Sequence, residues 1–222
     1  CINILISYAL NLENLLLFVI ILFISYEFYK LKLIPNTILL FFLSIILILC
    51  IVVPFNNFKY LFLIELILIF LIFLNDEYKN FFFIISVYIS LLILFYICNF
   101  ERNLFYIIFL ISFFNDTVAY IFGKGIGGPL IIPRVSPKKT WSGTLISFIL
   151  STIFLVYLNF NIFFAAVVSL FLFLGDIFFS YIKRFLAIKD FSSILKDHGG
   201  ILDRLDSMFF VVLIFQIFIV LK

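Results

Sequence analysis

Charge is scarce in this 222-residue chain: Asp, Glu, Lys and Arg together make only 12%, against 66% apolar residues and a mean hydropathy of +1.34. Soluble domains carry about 25% charged and roughly 45–50% apolar residues, so the composition excludes an ordinary water-soluble domain. The residues of metal and redox chemistry are few as well. Cys1, Cys50 and Cys98 stand far apart without CxxC spacing, which argues against a disulfide framework or a cysteine metal site. They read as small core residues. The single histidine, His198, has no second His or Cys nearby, which argues against zinc. Runs such as FFFIISVYISLLILFYI lack the period-2 alternation of a membrane β-barrel.

What remains is a series of apolar runs, each about long enough to cross a ~30 Å hydrocarbon core as a helix. Backbone amides in lipid must be satisfied within their own segment, which favours helices over irregular chain. The expected architecture is therefore all-α, a polytopic membrane protein with eight spans at 14–30, 37–54, 60–75, 81–98, 104–122, 143–159, 161–180 and 206–221. Residues 1–100 form an N-terminal group of helices and 101–222 a C-terminal catalytic region within one membrane-embedded unit. The chain opens on Cys1 rather than Met, which reads as a partial N-terminus, and the short apolar stretch 1–10 as the remnant of a first helix. Asn159-Phe160-Asn161 predicts a tight turn between two antiparallel helices. Sorting the connections by side puts twelve Lys and Arg on the face with 30–36, 75–80, 123–142 and 181–205, against Lys59, Arg102 and Lys222 opposite. The positive-inside rule makes the twelve-charge face cytoplasmic.

Two acids interrupt apolar helices close to that face: Asp116 in FFNDTVAYIF and Asp176 in FLFLGDIFFS. An ionisable group costs at least ~2.5 kcal/mol near the bilayer centre, so each is expected either to face a polar cavity or partner, or to reach interfacial water. Glu65, also inside a span but toward the other face, reads as structurally paired. Asp203 and Asp206, at i and i+3, share one helical face. They could serve the helix dipole or hold Mg²⁺ beside substrate phosphates. The stretch GKGIGGPLIIPRVSPKKTWSG carries Lys124, Arg134, Lys138 and Lys139 with Ser136 and Thr140. Its basic residues fit either topogenic anchoring or phosphate recognition. Gly123, Gly125 and Gly128 satisfy GxGxxG only formally, because a membrane helix precedes them where the dinucleotide fingerprint needs a strand. His198, before Gly199-Gly200, is open to three roles: phosphate donor, general base or turn residue.

The segment Ser180–Asp206, SYIKRFLAIKDFSSILKDHGGILDRLD, concentrates nine charged residues and the only histidine between apolar runs. It resembles the signature of the phosphatidate cytidylyltransferase (CDP-diacylglycerol synthase) family in Ser180, Lys183-Arg184, Lys189-Asp190, Ser192, Leu195, His198-Gly199-Gly200, Asp203-Arg204 and Asp206. Asn115-Asp116-Thr117 with Ala119-Tyr120, and Arg134 through Trp141, look like the same family, so the likeness covers most of 112–208. The first hundred residues match only as hydrophobic helices. Two positions depart. Lys196 stands where the family has Pro, Gly or Ser, and Ser142 where Glu usually follows the Trp.

The resemblance implies transfer of a cytidylyl group from CTP to phosphatidate, giving CDP-diacylglycerol and pyrophosphate at the cytoplasmic ends of the C-terminal helices. It implies Mg²⁺, with a second metal ion left open, on Asp176 and Asp203 supported by Asp206 and Asp116. Lys183, Arg184, Arg204, His198 and Asp190 complete the catalytic set. Lys138, Lys139, Ser136, Thr140, Ser180, Lys189, Gly199 and Gly200 make the substrate-binding set. The implied setting is a bacterial-type inner membrane with CTP arriving from the cytoplasm, a homodimer by analogy, and no nucleic-acid partner. The rivals are a CTP-dependent kinase or cytidylyltransferase acting on another membrane lipid, and a multi-pass transporter using Asp116, Asp176 and Glu65.

Overall fold

Long runs of Phe, Leu and Ile become helices because their backbone polar groups find no other partner in an apolar surrounding. The computed structural model describes residues 13–31, 33, 60–192, 194 and 199–221. Seven helices appear among them: α1 (Glu13–Lys30), α2 (Leu61–Leu74), α3 (Lys79–Phe100), α4 (Arg102–Ile126), α5 (Trp141–Tyr157), α6 (Ile162–Phe185) and α7 (Leu202–Leu221). The expected span at 37–54 lies outside the described residues. The architecture is that of an all-α membrane protein. Helices α3, α4 and α6 are long and apolar enough to cross a bilayer, while α2, α5 and Met208–Leu221 of α7 are shorter apolar helices.

The local chemistry explains several boundaries. Helix α1 carries Glu13 in its first turn and Lys30 in its last, the signs that suit the helix dipole. The Asn159 backbone takes a left-handed φ of 68°, which Asn tolerates better than most residues. Asn161 caps α6 by accepting from the Phe163 amide at 2.8 Å. The short turn sends α6 back along α5, as expected. Helix α4 runs further than expected and takes in Gly123 and Gly125. It ends where Gly127, with φ 68°, donates its amide to the Gly123 carbonyl at 3.1 Å.

The stretch expected to be a loop at 123–142 is thus a helix end followed by a small hairpin. Strand β1 (Leu130–Ile132) pairs antiparallel with β2 (Ser136–Thr140), Leu130 opposite Thr140 and Ile132 opposite Ser136, with an irregularity between them. β-branched Ile131 and Ile132 favour extended chain, and Pro133-Arg134 makes the turn. Thr140 ends the hairpin and caps α5 through its side chain, accepting from the Gly143 amide at 3.3 Å.

The chain divides into two compact units. The first contains α1, α2, α3, the start of α4, the segment from Phe191 to Leu202 and the end of α7. Its core includes Leu17, Ile24, Phe28, Ile84, Val87 and Leu91. Phe83 stacks on Phe191 with centroids 5.8 Å apart. Glu65 of α2 is buried and accepts from Ser86 (2.8 Å) and Ser90 (3.0 Å) of α3, the structural pairing its sequence context suggests.

The second unit contains the rest of α4, the hairpin, α5, α6 and Asp203–Ile214 of α7. Phe114 of α4 stacks on Phe154 of α5 at 4.9 Å. The Ser151 hydroxyl donates to Asn115 at 3.3 Å, and Thr152 donates to Ser169 at 3.1 Å. Along α5, Trp141, Leu145, Ile149, Ile153 and Tyr157 recur every four residues and are all exposed. An aromatic at each end of an apolar stripe about 24 Å long (at 1.5 Å per residue) suits a hydrocarbon surrounding with wet edges.

Candidate active site

All four helices of the second unit and strand β2 send polar groups to one cavity of about 260 Å³. Helix α4 contributes Asn115 and Asp116, β2 contributes Lys139 and Thr140, and α5 contributes Thr144 and Ser147. Helix α6 adds Asp176, and the first turns of α7 add Asp203, Arg204 and Asp206. Close approach of α6 to α7 depends on Gly175, where a Cβ would stand 3.0 Å from the Asp206 and Ser207 carbonyl oxygens. That approach brings Asp176 to the same wall as the α7 acids.

The acids are held by lysines. Lys183 Nζ donates to Asp203 Oδ1 at 2.9 Å and lies 3.7 Å from Asp206 Oδ2. One ammonium thus serves both carboxylates of the i, i+3 pair. The second Asp206 oxygen, Oδ1, accepts from the Ser207 amide at 2.9 Å. Lys139 forms an ion pair with Asp176, both side chains about one quarter exposed. Four carboxylates therefore meet three basic groups, Lys139, Lys183 and Arg204, at or beside the cavity. Buried charges persist only where such partners offset desolvation. Lys183→Gln should consequently destabilise the protein by about 3–5 kcal/mol, the usual cost of removing one partner from a buried ion pair. Thermal unfolding in detergent checks this.

The donor set, carboxylate oxygen from α4, α6 and α7, has the hard chemistry that Mg²⁺ takes. Among the described residues, no three His, Cys, Asp or Glu side chains gather closely enough to hold a metal ion as placed. The lysines occupy two of the three acid groupings instead: Asp176, and the pair Asp203 and Asp206.

The remaining residues singled out in the sequence are more dispersed. Arg184 is exposed, donating to the Val135 carbonyl at 3.1 Å and the Ile188 carbonyl at 3.3 Å, so it ties α6 to the hairpin turn. Lys189 and Asp190 are exposed beyond the end of α6, and Ser180 is buried within it. Ser136 sits opposite Ile132 in the hairpin. Lys138 belongs to β2, with its side chain outside the description, and Lys196 and His198 lie outside the described residues. Ser142, where a carboxylate was expected by resemblance, donates to the Gly127 carbonyl, closing the α4 end onto α5. Gly199 and Gly200 are buried in the first unit.

Glu27 belongs to none of the motifs above. This acid of α1 is fully buried and accepts hydrogen bonds from Ser192, Ile201 and Leu202. The available signal was its register: it falls on the stripe of Leu17, Ile20, Ile24 and Phe28 that α1 turns to the core, where an acid must have a partner.

Comparison with known proteins agrees with these motifs. Residues 2–222 match the model of the cytidylyltransferase family. The chain is 37% identical over 122 residues to the phosphatidate cytidylyltransferase of Staphylococcus saprophyticus, covering 50% of this chain and 47% of that protein. It is 41% identical over 116 residues to the enzyme of the same name from Rickettsia bellii, covering 45% and 50%. Against that of Staphylococcus aureus it is 38% identical over 122 residues, covering 50% and 47%. The chain spans about half the length of these curated relatives. With the match running over nearly its whole length, the chain belongs to the cytidylyltransferase family.

Proposed function

We propose that this protein transfers the cytidylyl group of CTP to phosphatidate, forming CDP-diacylglycerol and releasing pyrophosphate. The observation that carries the reading is the convergence of Asp116, Asp176, Asp203, Asp206, Arg204 and Lys139 on one cavity, with Lys183 bound to its acids. Family membership and the name shared by its relatives support the same chemistry.

In the reaction, a phosphatidate oxygen attacks the α-phosphorus of CTP. A new P–O bond forms as the bond to the bridging oxygen breaks, and pyrophosphate leaves with that electron pair. The attacking oxygen is already ionised near neutral pH, so no side chain need remove a proton. The obstacle is repulsion between two anions, which preorganised positive charge relieves. Lys139 and Arg204 line the cavity where the triphosphate would lie, and Lys183 stands behind the α7 acids. Asp176, Asp203, Asp206 and Asp116 are the proposed Mg²⁺ ligands, and the ion when bound supplies charge neutralisation on the phosphates. Thr140 and Lys138 of β2 and Ser136 would contact substrate from the hairpin. In this reading Lys139 and Lys183 keep the acids apart until substrate charge competes for them.

We place this centre on the cytoplasmic face of a multi-pass protein of the bacterial inner membrane, following the distribution of Lys and Arg. Acyl chains would enter between helices from the bilayer, with CTP arriving from the cytoplasm. The test is direct. Membranes containing the protein, given labelled CTP, Mg²⁺ and phosphatidate, should yield a labelled lipid with stoichiometric pyrophosphate. Label appearing only with another membrane lipid, such as a polyprenol, would assign the rival substrate. Solute uptake without labelled lipid would assign a transporter.

A further inference from the structure

The hydrogen bonds of Glu27 form a cap supplied from a distant part of the chain. Glu27 Oε1 accepts from the Ser192 hydroxyl at 2.7 Å and from the Ile201 amide at 2.6 Å. Its Oε2 accepts from the Leu202 amide at 3.0 Å. Ile201 and Leu202 stand at the N-terminus of α7, where the first amides of any helix lack intrahelical acceptors. Ser, Thr, Asp or Asn next to the helix usually meets that need. Here Gly200-Ile201 offers no such side chain, and a carboxylate 174 residues earlier replaces it.

The surroundings are built for that carboxylate. A Cβ at Gly200 would stand 2.5 Å from Glu27 Oε1 and 2.8 Å from Ser192 Oγ. Only glycine leaves room for both. Ser192 in turn accepts from the Ile194 amide at 3.3 Å, so the same contact organises the start of the segment. Glu27 is fully buried, at 0% exposure. A buried charge of that kind is retained only with strong partners, and these partners all belong to the signature stretch. Glu27, Ser192, Gly200, Ile201 and Leu202 lie within one compact unit. The next residue along the chain is Asp203.

We propose that Glu27 is a positioning residue for cytidylyl transfer: it seats the signature stretch and caps the first turn of α7, the helix that carries Asp203. This deepens the proposed function and rests on it. It also gives Gly200 and Ser192 work that is independent of phosphate binding, and it gives the first helix a part in the chemistry.

The experiment compares the full chain with Glu27→Gln, Glu27→Asp and Gly200→Ala in detergent and in membranes. Steady-state kinetics with labelled CTP, Mg²⁺ and phosphatidate are paired with amide hydrogen exchange. In Glu27→Gln one acceptor oxygen becomes a donor group facing donors already present, so kcat should fall about 30-fold while KM for CTP moves less than about threefold. The Mg²⁺ concentration giving half-maximal rate should rise. Exchange protection should be lost over residues 199–206 and kept in α3 and α5. Glu27→Asp, which keeps the charge but is one methylene shorter, should recover part of both losses. Gly200→Ala should reproduce Glu27→Gln.

Parental turnover and local protection in Glu27→Gln would overturn the proposal. So would a general loss of protection across α3 and α5, which would make Glu27 an ordinary fold-stabilising residue. A parent that yields no labelled lipid removes the transfer reading, and with it the catalytic part of this proposal. The exchange pattern at 199–206 then still decides whether Glu27 seats α7.

Discussion

Asp203→Asn should lower the rate of labelled-lipid formation by about two to three orders of magnitude, the loss seen when one preorganised electrostatic group is removed from an active site. Asp203 is singled out by its position rather than by being acidic. It opens α7, lines the cavity and receives the Lys183 ammonium at 2.9 Å. The amide keeps the shape and one acceptor oxygen but removes the negative charge. Lys183 retains Asp206 at 3.7 Å, so the substitution should cost much less stability than Lys183→Gln. Activity and stability should therefore separate, with membrane insertion and the thermal midpoint near parental values while CTP- and Mg²⁺-dependent product formation falls by that factor. Unchanged turnover with proper insertion would remove Asp203 from the proposed centre.

Gly143→Ala should act in the opposite sense, on the scaffold first and the chemistry second. A Cβ at Gly143 would stand 2.5 Å from the Ala119 carbonyl oxygen, 2.9 Å from Gly123 Cα and 3.0 Å from Gly123 N. All three are backbone atoms of α4, so no rotamer change can relieve the clash, and α5 must move away. Overpacking of this kind costs about 1–3 kcal/mol. At ~2–4 °C per kcal/mol for a chain of this size, the unfolding midpoint should fall by about 2–12 °C in a detergent melt. Activity should fall with it. Asp116 lies one turn before Ala119, and Thr140 caps α5 through the Gly143 amide. Both line the cavity. A variant as stable and active as the parent would mean that α4 and α5 do not meet at this glycine.

The parts of the site legible in the sequence are those carried by local spacing. Asp203 and Asp206 at i, i+3 had to share a face once their segment became a helix, and the structure places both beside one ammonium. Asp116 and Asp176 stood out because an acid in an apolar helix needs a polar partner, and both line the cavity. Local spacing failed at the hairpin. Ser-Pro-Lys-Lys-Thr reads as loop because its proline and charges hide the extended pairing that Ile131 and Ile132 favour. Gly123 and Gly125, read as loop residues, extend α4 because helix propagation continues until the left-handed Gly127 stops it. Successive helical residues point about 100° apart, so Arg184 faces away from its neighbour Lys183 and meets the Val135 carbonyl, a contact that local spacing does not show.

By itself the sequence determined the membrane class, the succession of helices among the described residues and the identity of the acids and bases, because composition, hydrophobic run length and i, i+3 spacing are local properties. Only the tertiary structure decided which lysine holds which acid, that Gly143 and Gly175 let helices meet closely, and that Glu27 caps a helix beginning 175 residues later. Those are pairings across large sequence separations. They follow from which buried polar group must find a partner in the folded core, a requirement the sequence poses at Glu27 and the packing of α1 answers.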